Sequence, residues 1–343
     1  MNKGFAVFGA VTLAALASLS VSQGRTLTVS SFGLNQALID KNVTRPFEAK
    51  CGCKIVYETG NNADRLAKLV ARKDNPNVDV TLLGDASAKL AANQGLLEAL
   101  DLKKLKNHAR LYDFAKNPLG GNTGVAYTVY ALGIAYRTDK IKTPIRSWQD
   151  LWRSDLAGRI ALPNITTTQG PLFVNAVNKA WGGDDKNAEP AFKKLAEIKK
   201  NVVTFYNQSA QLTSLFAQDE VWVAPVGRFT WGNLLNTKKP LAWAVPKEGQ
   251  PGVMNTVSIV KGSKNSDLAH QYIDFLISTE IQTAQANDLV DSPANKTVYV
   301  TPEKAAQLTF GFQQVKRLTF MDLGYTLSVR DAWIERWNRE IAR

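Results

Sequence analysis

Gly124-Val125-Ala126-Tyr127-Thr128-Val129-Tyr130-Ala131-Leu132-Gly133-Ile134-Ala135-Tyr136 is an almost unbroken β-prone run, and it leads directly into Arg137-Thr138-Asp139-Lys140. It is too long for one ordinary strand, since strands in compact domains average about 5–6 residues. We read it as a segment that leaves one lobe of the molecule and enters another.

Upstream, Thr26 to Ser30 alternates polar and apolar residues as a strand does, and Phe32-Gly33 breaks it. A helical stretch, Leu34 to Ala49, precedes a short strand at Lys54 to Tyr57. Asp64 to Lys73 is helical by period, and Val78 to Leu83 is a mostly apolar run suited to a buried parallel strand. Strand, helix, strand, helix, strand is the order of an α/β unit with helices covering a largely parallel sheet.

Downstream, Arg159 to Leu162 opens a second α/β unit. Helices are expected near Leu172 to Ala180 and Pro190 to Lys199, and strands at Val202 to Tyr206 and Val221 to Val226. Leu241 to Val245 is read as the return to the first lobe, where Thr256 to Val260 supplies a strand and Ala269 to Ile277 a helix. Two crossings make a hinge. The expected division is residues 25–127 with 250–310 in lobe 1, 128–249 in lobe 2, and 311–343 as a helical segment across both. Trp333, Trp337, Ile334 and Ile341 give that last segment one apolar face.

The N-terminus carries Lys3, an apolar run from Phe5 to Ala17 and then small residues, the pattern of a signal peptide (residues 1–22) cleaved near Ser22. The run is about 13 residues, short of a membrane span. The mature chain of about 320 residues is long enough for two lobes.

A formal net charge of +12 points to nucleic acid, an acidic surface or an anionic ligand. The charges are spread along the chain with no block of five of one sign, and export argues against nucleic acid. His108 and His270 are the only histidines, so no metal site is expected and no cofactor is implied. Cys51-Gly52-Cys53 reads either as a local disulfide or as two free thiols.

Four stretches, in this order, resemble the solute-binding proteins of ABC importers, in the branch that contains polyamine and ferric-iron receptors. They are Val125-Ala126-Tyr127 with Gly133 to Tyr136 and Asp139-Lys140; Ser147 to Trp152; Val223 to Trp231; and Ala269 to Leu276 followed by Ser292-Pro293-Ala294-Asn295. The resemblance implies the two-lobed periplasmic binding protein fold of type II, closure over a ligand by hinge motion, and permease subunits as partners. It implies a monomeric periplasmic binding protein rather than an enzyme.

Open α/β sheets bind ligands beyond the carboxyl ends of their strands. Here those ends are Ser31-Phe32, Gly84-Asp85, Thr166-Thr167-Thr168 and Gly227-Arg228. Polyamine receptors of this kind carry an acid where this chain has Arg228, and a second where it has Asn255. A cation about 4 Å from Arg228 would be repelled by roughly 4 kcal/mol at an effective dielectric near 20, about three decades of affinity. Arg228 therefore reads as a grip for a carboxylate or phosphonate, or else as a side chain paired within the fold.

Thr166 to Gln169, before Pro171, form either an anion cradle or a plain helix cap. Asp85 either takes a ligand ammonium or caps a helix. Phe32, Tyr127 and Trp231 are aromatic walls or core, and Ser209 and Gln211 are further polar candidates. Paired neighbouring tyrosines, which iron receptors resemble one another in, are absent. The function expected is capture of a small organic anion or zwitterion bearing a carboxylate or phosphonate, such as a γ-aminobutyrate-like amino acid. The alternatives are a polyamine receptor and, in another class, a thiaminase-like enzyme on the same architecture with a cleft cysteine.

Overall fold

The computed structural model describes Met1 and residues 24–184 and 186–342. The rest of the expected signal peptide lies outside the described residues. No helix among those described is long and apolar enough to cross a membrane.

Strands β1 (Thr26–Ser31), β2 (Lys54–Thr59) and β3 (Val80–Gly84) run parallel in the order β2-β1-β3. Their connections are helical. Gln36–Ile39, a π-helical turn Asp40–Thr44 and Arg45–Cys51 form one continuous run, and Asn62–Ala71 is the second crossover. Gly52 ends the first run at φ +60°, a left-handed conformation that a residue without Cβ adopts freely. Cys51 and Cys53 flank it and are disulfide-bonded.

The long run is one strand, β4 (Val125–Arg137, 13 residues). Its first half, Val125 to Ala131, pairs with β9 (Pro251–Ile259), which in turn lies antiparallel to β3. From Leu132 onward it pairs instead with β7 (Val223–Gly227) and β8 (Leu241–Ala244). The parallel strands β5 (Ile160–Pro163) and β6 (Val202–Tyr206) complete the second sheet. A short β10 (Thr319–Phe320) adds to β9.

One expectation needs correcting. Leu241 to Val245 does not carry the chain back to the first sheet, because β8 is hydrogen-bonded to the second half of β4; β9 makes the return and begins at Pro251, earlier than expected. Its nine residues are all buried, so no polar alternation marked its start.

Each sheet has its own apolar cluster. Leu27, Val29, Phe47, Val257 and Tyr272 belong to the first, and Trp148, Phe173, Phe192 and Leu195 to the second. The helix Leu323–Glu340 touches both sides: it packs on Asp85–Asn93 and on Glu189–Ile198. Trp337 is fully buried against Phe205, with ring centroids 5.1 Å apart, and burying such a ring contributes about 2–3 kcal/mol.

Candidate functional site

A cavity of about 520 Å³ lies between the two sheets. The first side supplies Ser31 and Phe32 from the end of β1, and Asn61 and Asn62 from the start of a helix. The second side supplies Thr166 to Gln169 after β5 and Gln208 to Ala210 after β6. Tyr127 and Tyr130 come from the shared strand β4, and Asn255 from β9. Ser31, Phe32, Tyr127, Thr166, Thr167, Thr168, Gln169, Ser209 and Asn255 are thus brought together as expected of cleft residues.

Several of these are already engaged. Thr167 accepts from the Gly170 N–H at 3.1 Å, so the threonine run does cap its helix, and Thr166 is tied to Asn164. Buried Gln169 accepts from the Gly227 N–H at 2.7 Å and from Tyr206 at 3.0 Å. Ser209 accepts from the Thr230 hydroxyl.

Four expected cleft residues stand elsewhere, among them Gln211, whose Oε1 accepts from the Asn207 N–H at 3.0 Å outside the cavity lining. Arg228 does not line the cavity: the residue is 6% exposed, and its guanidinium donates through Nε to the Gln307 carbonyl at 2.9 Å and through Nη2 to that of Ala306, and lies over the rings of Trp243 and Trp231. Trp231 is buried core, edge-on to Trp243 at 5.7 Å. The sequence pairs Arg228 with a strand end, but two indoles and two helix-end carbonyls hold it inside the fold, where burial lowers its pKa to about 10. Asp85 lines a separate cavity of about 80 Å³, beside Thr166 to Thr168 and the C-terminal helix. Its carboxylate accepts from the N–H groups of Ala86 at 2.8 Å and Met254 at 3.1 Å, and burial pushes its pKa up to about 6.

The guanidinium beneath the cleft floor belongs to Arg65, which the sequence reading missed. It is fully buried, 4.2 Å from the Phe32 ring, and donates to Gly60, Ser30 and Leu82 carbonyls and to Asn62 Oδ1. All four acceptors are neutral, and desolvation lowers its pKa to about 10. Tyr57, Tyr130, Tyr206, Tyr272 and Asp291 also line the cavity and were missed. Asp291 directly precedes the Ser292-Pro293-Ala294-Asn295 stretch, which was the available signal.

The end of β3 approaches the second side closely. A Cβ on Gly84 would sit 3.1 Å from Thr168 Cγ2 and 3.2 Å from Asn62 Nδ2.

This pair of sheets, joined through β4 and β9 around a polar and aromatic cleft, defines a two-lobed periplasmic binding protein fold. Residues 42–310 match the family described as bacterial extracellular solute-binding protein, and the chain belongs to that family. A crystal structure of an ABC transporter from Clostridium perfringens is 36% identical, with a TM-score of 0.76 over 92% of this chain and 99% of that one. Spermidine/putrescine-binding periplasmic protein 1 of Haemophilus influenzae is 27% identical over 67% of this chain and 65% of its own length. The gamma-aminobutyric acid-binding protein of Pseudomonas aeruginosa is 26% identical over 94% of both chains.

Proposed function

We propose that the chain is the substrate-binding component of an ABC importer, exported to the periplasm as a monomer, with no catalytic role. Lobes 25–127 with 250–310 and 128–249 close over a small zwitterionic solute bearing a carboxylate or phosphonate, such as a γ-aminobutyrate-like amino acid. The closed form is presented to the permease subunits. Cys51 and Cys53 are tied to each other and do not line the cleft, which leaves the thiaminase-like reading without its nucleophile.

The observation that carries the anionic end is Arg65, a buried cation with only neutral acceptors, directly under the floor made by Phe32, Gly60 and Asn62. A ligand anion resting there adds to the countercharge that Glu58 supplies through space. The N-termini of the helices Asn62–Ala71, Gln169–Ala180 and Ser209–Ala217 open onto the same cavity and add positive potential. In this reading Arg65 and the threonine edge replace Arg228 as the anion grip.

Native mass spectrometry of protein purified from its host tests this reading. A retained amino acid or aminophosphonate is the result expected, and a retained polyamine would overturn it. One observation favours that second reading: besides tyrosines, the ionisable side chains lining the cavity among the described residues are Asp64 and Asp291, both acidic. Putrescine or spermidine raising the melting temperature, with no response to amino acids, is its signature.

A further inference from the structure

The cavity wall contains a carboxylate held by neutral donors alone: the Ser292 N–H, the Thr128 hydroxyl and the Asn255 amide. Asp291 lies in the loop after the helix Thr279–Asn287 and lines the cleft. Its Oδ1 accepts from the Ser292 N–H at 2.8 Å, while Oδ2 is approached by the Asn255 amide at 3.4 Å. No Lys or Arg among the described residues lines the same cavity. Asp85 differs in facing a separate cavity.

We propose that Asp291 is the cation-recognising residue of the cleft, receiving a single ligand ammonium, with Asn255 as the positioning residue and Tyr127 and Tyr130 as the walls around it. An ammonium adds the charged donor that Ser292, Thr128 and Asn255 do not supply, and neutralises a carboxylate buried in the cleft wall. The electron-rich faces of the two tyrosines favour the same charge. Burial pushes the Asp291 pKa up to about 7, with the Ser292 N–H, Thr128 and Asn255 as partial offsets.

Asn255 also explains why one ammonium is accommodated and not two. Its Nδ2 is shared between Asp291 and the Thr128 hydroxyl, at 3.1 Å to the latter. A carboxylate at that position would double the negative charge, whereas an amide only orients the existing one. The other acid on the wall, Asp64, is exposed and sits in the first turn of its helix.

The proposal rests on the zwitterion reading only in expecting an acid at the ligand's other end. Titration calorimetry on the full mature chain, refolded to strip carried-over ligand, separates the two using γ-aminobutyrate, butyrate and putrescine as probes. Asp291→Asn is expected to weaken γ-aminobutyrate by about 10- to 100-fold and leave butyrate unchanged. Wild-type protein binding putrescine but neither acid would sink the zwitterion reading; a loss of putrescine affinity in Asp291→Asn would then still uphold the ammonium site. Unchanged affinity for every amine in Asp291→Asn, or wild-type protein that binds none of them, overturns it. A second measurement needs no variant: binding of an amine at pH 7 should release about half a proton, read from calorimetry in buffers of different ionisation enthalpy.

Discussion

The side-chain amide of Asn62 donates to Oγ1 of Thr168 at 2.5 Å, and this bond joins the start of the helix Asn62–Ala71 beside the first sheet to the edge of the helix Gln169–Ala180 beside the second. Asn62 is itself held, because its Oδ1 accepts from Arg65 and from the Gly84 N–H. A rigid donor on one lobe thus meets a hydroxyl on the other at the cleft edge.

Thr168→Val keeps the shape of that side chain and removes the acceptor. Loss of one such hydrogen bond costs about 1 kcal/mol, so ligand affinity should fall by about fivefold while the melting temperature of the ligand-free protein stays within a few degrees. Small-angle scattering should show a larger radius of gyration for the unliganded variant. An unchanged radius and unchanged affinity would mean the bond does not bias closure.

Arg228 should behave as a structural residue. Arg228→Met removes a buried cation from two carbonyl acceptors and two indole faces. A stability loss of about 2–4 kcal/mol in urea is expected, with affinity for γ-aminobutyrate within about twofold of wild type. A large affinity loss at preserved stability would return Arg228 to the binding site.

Arg65→Gln should discriminate by ligand charge. Affinity for butyrate is expected to drop by about tenfold or more, and affinity for putrescine to hold or rise. The variant also strands the Gly60, Ser30 and Leu82 carbonyls, so some stability loss accompanies it. Equal weakening of both probes would assign Arg65 to the fold alone.

Stability should rise on mild acidification. Asp85 titrates at about 6 in the fold against an ordinary 3.8, so it binds a proton more tightly when folded. Its stabilising contribution is therefore fully present below about pH 4 and is lost as pH rises through about 6, a swing of about 3 kcal/mol. Asp291 acts in the same direction with its pKa near 7. The urea midpoint of unliganded protein should thus be higher at pH 5.5 than at pH 7.5; a flat or inverted profile refutes the assignment.

Local sequence carried much of the architecture. The alternation of strands and helices through Leu83 is a matter of residue period, and the structure follows it element by element, with ends shifted by a few residues. The crossing strand was legible because thirteen β-prone residues have no other use in an α/β protein. Cleft membership was also legible at two of the four strand ends, Ser31-Phe32 and Thr166 to Thr168, where topology leads to the gap between the sheets, but not at Gly84-Asp85 or Gly227-Arg228.

What the chain determined by itself is therefore the layering of the fold, its crossing strand and the resemblance that named its class, all of which follow from patterns within a few residues of one another. Tertiary structure alone decided which charges stand at or beneath the cleft. Arg228 turned to carbonyls almost eighty residues later in the chain, while Arg65 came up beneath Phe32 and Asp291 was set beside Asn255. A side chain's direction at a strand end is set by the partners that long-range packing brings within about 3 Å, and no local pattern encodes those.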